Sequence, residues 1–200
     1  TAMSALLLLA AEWGDRRKSA PAGAVDEVRS VLGRYPQLVQ ESIERFEAPM
    51  KKLASEIYTV LTPLYVGSGP SFGTAHFGMA KIKETTQDHS FVLETEEYHH
   101  IQSFSMKPGE PVFLVAPQGK SYGRVLETAQ SIKRQGGRLI AIVTAGDKEV
   151  GPLADVLVEI PAMAEYLTPS VALPALQWFA WYYGEERITH GYVRPAEAIY

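Results

Sequence analysis

From residue 63 onward the chain alternates short apolar runs with longer helical patterns, and this alternation most strongly limits the folds it can adopt. The runs are hydrophobic throughout, which is typical of strands buried on both faces of a parallel sheet. Because parallel strands need crossover connections, the alternation predicts an α/β sandwich with a five-stranded parallel sheet. The predicted strands are Leu64–Val66, Phe91–Leu93, Val112–Ala116, Leu139–Val143 and Val156–Ile160.

Helical periodicity fills the segments between these strands and also precedes them. The predicted helices are Ser71–Thr86, Ser121–Arg134 and one from Pro169 to about Tyr183. Upstream, the pattern is helical from Asp26 to about Thr59, in three apolar stripes, with Gly33 ending the first and Pro49 interrupting before the third. The chain therefore divides into a helical lead-in at 1–62, an α/β domain at 63–186 and a C-terminal tail at 187–200.

Composition excludes several classes of function. A net charge of −4 argues against a nucleic-acid partner. The absence of cysteine excludes a disulfide scaffold, a cysteine-ligated zinc site and a thiol nucleophile, and it fits a cytoplasmic protein. The apolar segment Ser4–Glu12 is too short to span a bilayer and has no preceding positive charge, so we expect a buried helix end and no membrane partner.

A glycine-rich turn, Gly67-Ser68-Gly69, follows the first predicted strand and opens a helix. Such a turn can offer backbone N–H groups to an anion, and ligands collect at this edge of parallel sheets. The same residues are equally suited to a tight strand-to-helix connection. The turn Gln118–Gly123 lies at the same edge, lacks the first glycine of a phosphate loop, and predicts only a polar turn capped by Ser121.

Two further clusters carry titratable side chains. Lys81 and Glu84 share one helix face, as either a surface ion pair or part of a site. The run Glu96-Glu97-Tyr98-His99-His100 fits a metal site, acid–base catalysis or a polar helix start. Adjacent residues point in different directions on a helix and no third ligand is evident, so the metal interpretation is the weakest of the three.

Taken in order, these motifs resemble the SIS (sugar isomerase) domain family over about residues 63–186. The resemblance is to the second SIS domain of glucosamine-6-phosphate synthase and of fructoselysine-6-phosphate deglycase. It is carried by the Gly67-Ser68-Gly69 turn, by Lys81-Ile-Lys-Glu84 at the helix end, and by Glu97-Tyr-His-His100. Glu84 and His100 are separated by the family's spacing, and the expected fold is the family's flavodoxin-like, three-layer αβα sandwich.

The resemblance implies a role for each site residue. Glu84 is the expected proton-transfer base, His100 the acid or base that opens the sugar ring, and Lys81 an assistant near the sugar. The implied substrate-binding residues are Gly67, Ser68, Gly69, Ser71 and Glu97. It also implies a small phosphorylated sugar as ligand, a homodimer in which His100 approaches the partner's Glu84, and no cofactor or metal.

Three departures qualify this expectation. Ile101-Gln102 replaces the family's Gly-Pro after the histidine, and Glu96 replaces the glycine before the glutamate. The tail Val193–Tyr200 has no lysine, whereas the synthase tail carries one that can form a Schiff base with the sugar. The family's Ser/Thr-rich phosphate loop is absent, so we expect a first SIS domain upstream, of which residues 1–62 include the end.

The sequence therefore predicts a phosphosugar isomerase or a fructosamine-6-phosphate deglycase. The alternatives are a non-catalytic sugar-phosphate sensor and the isomerase domain of a glucosamine-6-phosphate synthase.

Overall fold

A computed structural model describes residues 2–60 and 62–193. Its centre is a five-stranded parallel sheet of order β2-β1-β3-β4-β5, which confirms the predicted fold class. The strands are β1 Leu64–Gly67, β2 Phe91–Glu94, β3 Pro111–Ala116, β4 Arg138–Thr144 and β5 Val156–Ile160. The helices are α1 Ala2–Arg16, α2 Ala24–Ile57, α3 Pro70–Thr86, α4 Thr95–His100, α5 Tyr122–Arg134 and α6 Pro169–Thr189.

Alternating side chains of the central strands build two separate cores. On one face, residues such as Tyr65, Phe113 and Ile140 pack against α2, α3 and α6. On the other face, residues such as Val66 and Leu114 pack against α4 and α5. Since successive strand residues point to opposite faces, α3 and α4 lie on opposite sides of the sheet.

Helix α2 differs from its prediction because it runs unbroken for 34 residues through Pro36 and Pro49. Both prolines lie on the exposed side, where water can bind the carbonyl groups that lose their N–H partners. The buried side of the second half carries Phe46, Met50 and Leu53 into the core beneath α6. Tertiary packing thus offsets the cost of the prolines, and this half of the lead-in is integral to the α/β layer.

Helix α1 contradicts the expectation of a buried helix end. It packs on the start of α2 through Leu7 and Ala11, while Leu6, Leu9 and Trp13 remain more than 60% exposed. Among the described elements the helix contacts only α2 extensively, and no other described part of the chain covers its opposite side. No helix in the described part of the chain is both long and apolar enough to cross a membrane.

The last helix also exceeds its predicted length, and the predicted boundary at residue 187 falls inside it. Arg187 of α6 is 1% exposed. Its Nε lies 2.6 Å from Asp88 Oδ2, and its Nη1 donates to the Tyr58 carbonyl at 2.6 Å. The ion pair connects the end of α6 to the loop that follows α3, and the bond to Tyr58 connects it to the end of α2.

Candidate functional site

The Gly67-Ser68-Gly69 turn lies where the sequence places it, between the end of β1 and the start of α3. A Cβ on Gly67 would lie 2.5 Å from the Ser71 carbonyl oxygen, so only glycine allows the turn to close this tightly. Gly69 has a φ of 54°, in the left-handed region that favours glycine. Local geometry therefore accounts for both glycines without any ligand.

Carboxylates accept the hydroxyl hydrogen bonds of both predicted serines. Ser68 Oγ donates to Glu94 at the end of β2, and Ser71 Oγ donates to Glu165 Oε1 at 2.9 Å. Burial alone would raise the pKa of Glu94, but hydrogen bonds from Ser68, Thr95 and the Glu96 amide together lower it. Glu94 is therefore held as a carboxylate beneath the turn.

An open pocket of about 880 Å³ lies beside this turn at the carboxyl edge of the sheet. Its walls come from the β1–α3 turn, the β3–α5 loop and the connection from β5 to α6. The lining residues are Ser68, Gly69, Pro70, Gln118, Gly119, Lys120, Ser121, Ala164, Glu165 and Tyr166. Ser121 occupies the N-cap position of α5, but its hydroxyl makes no capping hydrogen bond, contrary to expectation.

Lys81 and Glu84 occupy the other end of α3, where they form an ion pair with each other. The Glu84 side chain is 59% exposed and the Lys81 side chain 28% exposed. The Lys81 ammonium also lies 4.9 Å from the centre of the Phe77 ring. The pair presents a carboxylate and an ammonium group side by side to solvent.

The two histidines of α4 have different surroundings. The His99 Nε2 lies 3.0 Å from Thr128 Oγ1 on α5. Burial and the nearby Arg124 guanidinium lower the His99 pKa. His100 and Glu97 are exposed, and within residues 2–60 and 62–193 neither side chain has a hydrogen-bond or ionic partner. His99 is thus a packing residue, while His100 is accessible.

The structure does not bring the predicted site residues together in one chain. Gly69 and Glu84 lie fifteen positions apart on α3, or about 22 Å at 1.5 Å per residue. Glu84 and His100 belong to helices on opposite faces of the sheet. One sugar phosphate therefore cannot contact the turn, Glu84 and His100 of the same chain.

Comparison with known families decides the family of this chain. The model of the SIS domain matches residues 58–180, which is more than half of the chain and includes β1 to β5. The chain belongs to the SIS domain family. The match begins at the end of α2 and ends within α6, so the Lys81–Glu84 pair, α4 and the pocket all lie inside the SIS domain.

Curated relatives of this SIS domain include isomerizing glutamine–fructose-6-phosphate aminotransferases. That of Thermus thermophilus is 30% identical over 90% of this chain, and that of Caldanaerobacter subterraneus is 27% identical over 94%. The chain spans only 30% and 31% of the length of these two relatives. Their names therefore describe larger proteins, of which this SIS domain resembles one part.

Solved structures support the fold. The C-terminal domain of glucosamine-fructose-6-phosphate aminotransferase from Francisella tularensis superimposes with a TM-score of 0.75 at 17% identity, covering 84% of this chain and 47% of that one. Glucosamine-6-phosphate deaminase from Thermotoga maritima gives a TM-score of 0.63 at 16% identity, covering 92% and 51%. In both comparisons the SIS domain described here corresponds to about half of the other chain.

Sequence reasoning missed Glu94 and Glu165, which bind the turn serines, and treated Lys120 as part of an ordinary turn. Glu94 was detectable as the acid that directly follows the predicted strand Phe91–Leu93, at the ligand edge of the sheet. Glu165 carries no motif that would connect it with a turn 94 positions earlier. Most of the lysine-free tail, residues 194–200, lies outside the described residues.

Proposed function

We propose that this SIS domain takes part in proton transfer on a phosphorylated ketose or aldose, or on its amine conjugate, as part of an isomerase or deglycase. The supporting observation is the Lys81–Glu84 pair, which the last turns of α3 present to solvent. A general base must reach the proton it removes, and an exposed carboxylate can do so. The relatives named for fructose-6-phosphate chemistry support the substrate class.

In the proposed mechanism Glu84 moves a proton between C1 and C2 of the open-chain sugar. The ammonium group of Lys81 stabilises the negative charge that develops on the enediolate oxygen. His100 transfers a proton to or from the ring oxygen during ring opening, or protonates a departing amine. Without an amine the outcome is aldose–ketose isomerisation. With an amine at C1, the same proton transfer gives the C1 imine of the aldose, and water hydrolyses this imine to the free sugar and the amine, which is deglycation.

The separation of the site residues supports an assembled active site. Because α3 and α4 lie on opposite faces, His100 would act on a sugar bound near the Glu84 of a partner subunit. We propose a homodimer for this reason. Each SIS domain would also work with a second SIS domain that precedes it and binds the sugar phosphate, and the exposed side of α1 offers a surface for that domain.

The decisive experiment replaces Glu84 with Gln in the product of the complete gene. Glutamine keeps the shape of the side chain but cannot accept the proton, so we expect turnover to fall at least about 100-fold while sugar-phosphate affinity changes only a few-fold. Incorporation of deuterium from D₂O at C1 or C2 of fructose 6-phosphate, glucose 6-phosphate or a fructosamine 6-phosphate, followed by NMR, measures proton transfer directly.

The matched control is Glu41→Gln, which removes an exposed carboxylate from α2. Activity of Glu84→Gln within about tenfold of the parent would exclude Glu84 as the base.

Mixing Glu84→Gln with His100→Asn subunits tests the shared site, because a mixed dimer regains one intact pair. No recovery on mixing would place His100 in the same subunit's site or outside catalysis.

A second candidate is a non-catalytic sugar-phosphate sensor. It is favoured by the absence of a complete Glu84–His100 site within one described chain. The deuterium experiment separates the candidates. A parent protein that binds the sugar phosphate but exchanges no carbon-bound proton would be a sensor.

A further inference from the structure

Glu165 carries a carboxylate into the pocket at the carboxyl edge of the sheet. A Cβ on Gly119 would lie only 2.1 Å from its Oε2, and one on Gly69 would lie 4.0 Å from its Oε1. The carboxylate therefore lies between the β1–α3 turn and the β3–α5 loop. This is the edge at which ligands of α/β folds bind.

The groups that would bind a phosphate at the start of α3 already have partners inside the chain. The hydroxyls of Ser68 and Ser71 donate to Glu94 and Glu165. The N–H groups of Ser71 and Phe72 donate to the carbonyls of Ser68 and Gly69, and Pro70 has no N–H. A phosphate entering here would have to displace internal hydrogen bonds and approach a negative charge.

The backbone around Glu165 is firmly held. Tyr35 OH of α2 donates to the Leu167 carbonyl at 2.5 Å, and Thr168 Oγ1 donates to the Glu165 carbonyl at 2.8 Å. Leu167 itself is fully buried. The folded core therefore fixes the backbone of this segment, and the hydrogen bond from Ser71 holds the half-buried Glu165 carboxylate at the turn.

We infer that Glu165 is an internal anion that occupies the phosphate position at the start of α3 and excludes phosphorylated ligands from this pocket. Without Glu165 the pocket would favour an anion, because it is bordered by Lys120, by Pro70 at the start of α3 and by Ser121, which directly precedes α5. Glu165 thus determines the ligand specificity of the pocket. This inference does not depend on Glu84 or on any catalytic activity.

The test is a calorimetric titration of the 200-residue chain with inorganic phosphate at low ionic strength. We expect no saturable binding by the parent. Glu165→Gln removes the charge but keeps an acceptor for Ser71, and Glu165→Ala also frees the Ser71 hydroxyl. Removing a unit charge a few ångströms from the phosphate is expected to raise the affinity about tenfold or more, with Ala exceeding Gln.

Two controls make the test specific. Glu41→Gln removes the same charge from a distant part of α2 and should leave phosphate binding at the parental level, whereas Ser71→Ala in the Glu165→Ala background should reduce the acquired binding. Circular dichroism confirms that each variant is folded. Saturable phosphate binding by the parent, no gain in folded Glu165 variants, or an equal gain in Glu41→Gln would each overturn the inference.

Discussion

The two ends of helix α3 contrast in how completely the fold satisfies their polar groups. At the start of the helix, the hydroxyls of Ser68 and Ser71 donate to carboxylates from other parts of the chain. At the end, Lys81 and Glu84 form an ion pair with each other, and among the described residues neither side chain bonds to a polar group from another part of the fold, so both remain in contact with solvent. The first end is complete within the domain, whereas the second can still engage a ligand or a partner.

This contrast shows that the most recognisable motif is not the most available site. The glycine-rich turn has the sequence pattern of an anion site, yet its close packing and internal hydrogen bonds explain its residues. The Lys81–Glu84 pair has the pattern of an ordinary surface ion pair, which contributes little to stability. Its exposure to solvent leaves it accessible for the proton-transfer role proposed above.

The largest expected effect on stability comes from Asp88, which follows the end of α3 that carries Lys81 and Glu84. Asp88→Ala leaves the Arg187 guanidinium buried without its ionic partner and should lower the free energy of unfolding by about 3 kcal/mol. Glu84→Ala, only four positions away, should cost less than about 1 kcal/mol because the side chain is exposed. Urea unfolding monitored by circular dichroism measures both free energies of unfolding. Equal losses in Asp88→Ala and Glu84→Ala would contradict the expected difference between the two side chains.

A smaller effect on stability is expected at the start of α3, in the Gly67-Ser68-Gly69 turn. Gly67→Ala would place a Cβ 2.5 Å from a backbone oxygen of α3, and the shift required should cost about 1–3 kcal/mol. Gly73→Ala is the matched control, since the space around its Cβ is open and alanine favours the helix by about 0.5–1 kcal/mol. If Gly67→Ala were as stable as the parent in thermal unfolding, close packing would not explain the turn.

The smallest effect concerns pH. The pKa of Glu94 is lower in the folded chain than its ordinary value, so this carboxylate contributes stability above that ordinary value and loses it as the pH falls through the folded pKa. Ser68→Ala removes one of the hydrogen bonds that lower the pKa. We expect the loss of stability between pH 5 and pH 3, about the range in which glutamate titrates, to be smaller in this variant. An unchanged pH profile would show that Ser68 does not hold Glu94 ionised.

The sequence determined the elements that repeat a simple pattern. Strand β5 has the predicted bounds, and the other strands extend their predicted cores by only one or two residues. The expected burial on both faces holds for the central strands β1, β3 and β4, whereas the edge strands β2 and β5 are partly exposed. Helices α3 and α5 begin and end within one residue of prediction, because their periodicity and their end signals agree. The order and spacing of the motifs over about residues 63–186, including Glu84 and His100, likewise indicated the SIS family, which the family model confirms.

Only the tertiary structure decided which residues meet. The prolines of α2 predicted interruptions, but packing of Phe46 and Met50 under α6 keeps the helix whole. The leucines of α1 predicted burial, but only Leu7 packs against α2, while Leu6, Leu8 and Leu9 remain exposed in the described chain. Glu94 and Glu165 reach the turn serines from 26 and 94 positions away, and Glu84 and His100 fall on opposite faces. The local sequence pattern determines whether a segment forms a helix or a strand. Contacts between side chains that are distant in the sequence depend on how the strands and helices are arranged in space, and that arrangement is a property of the whole fold.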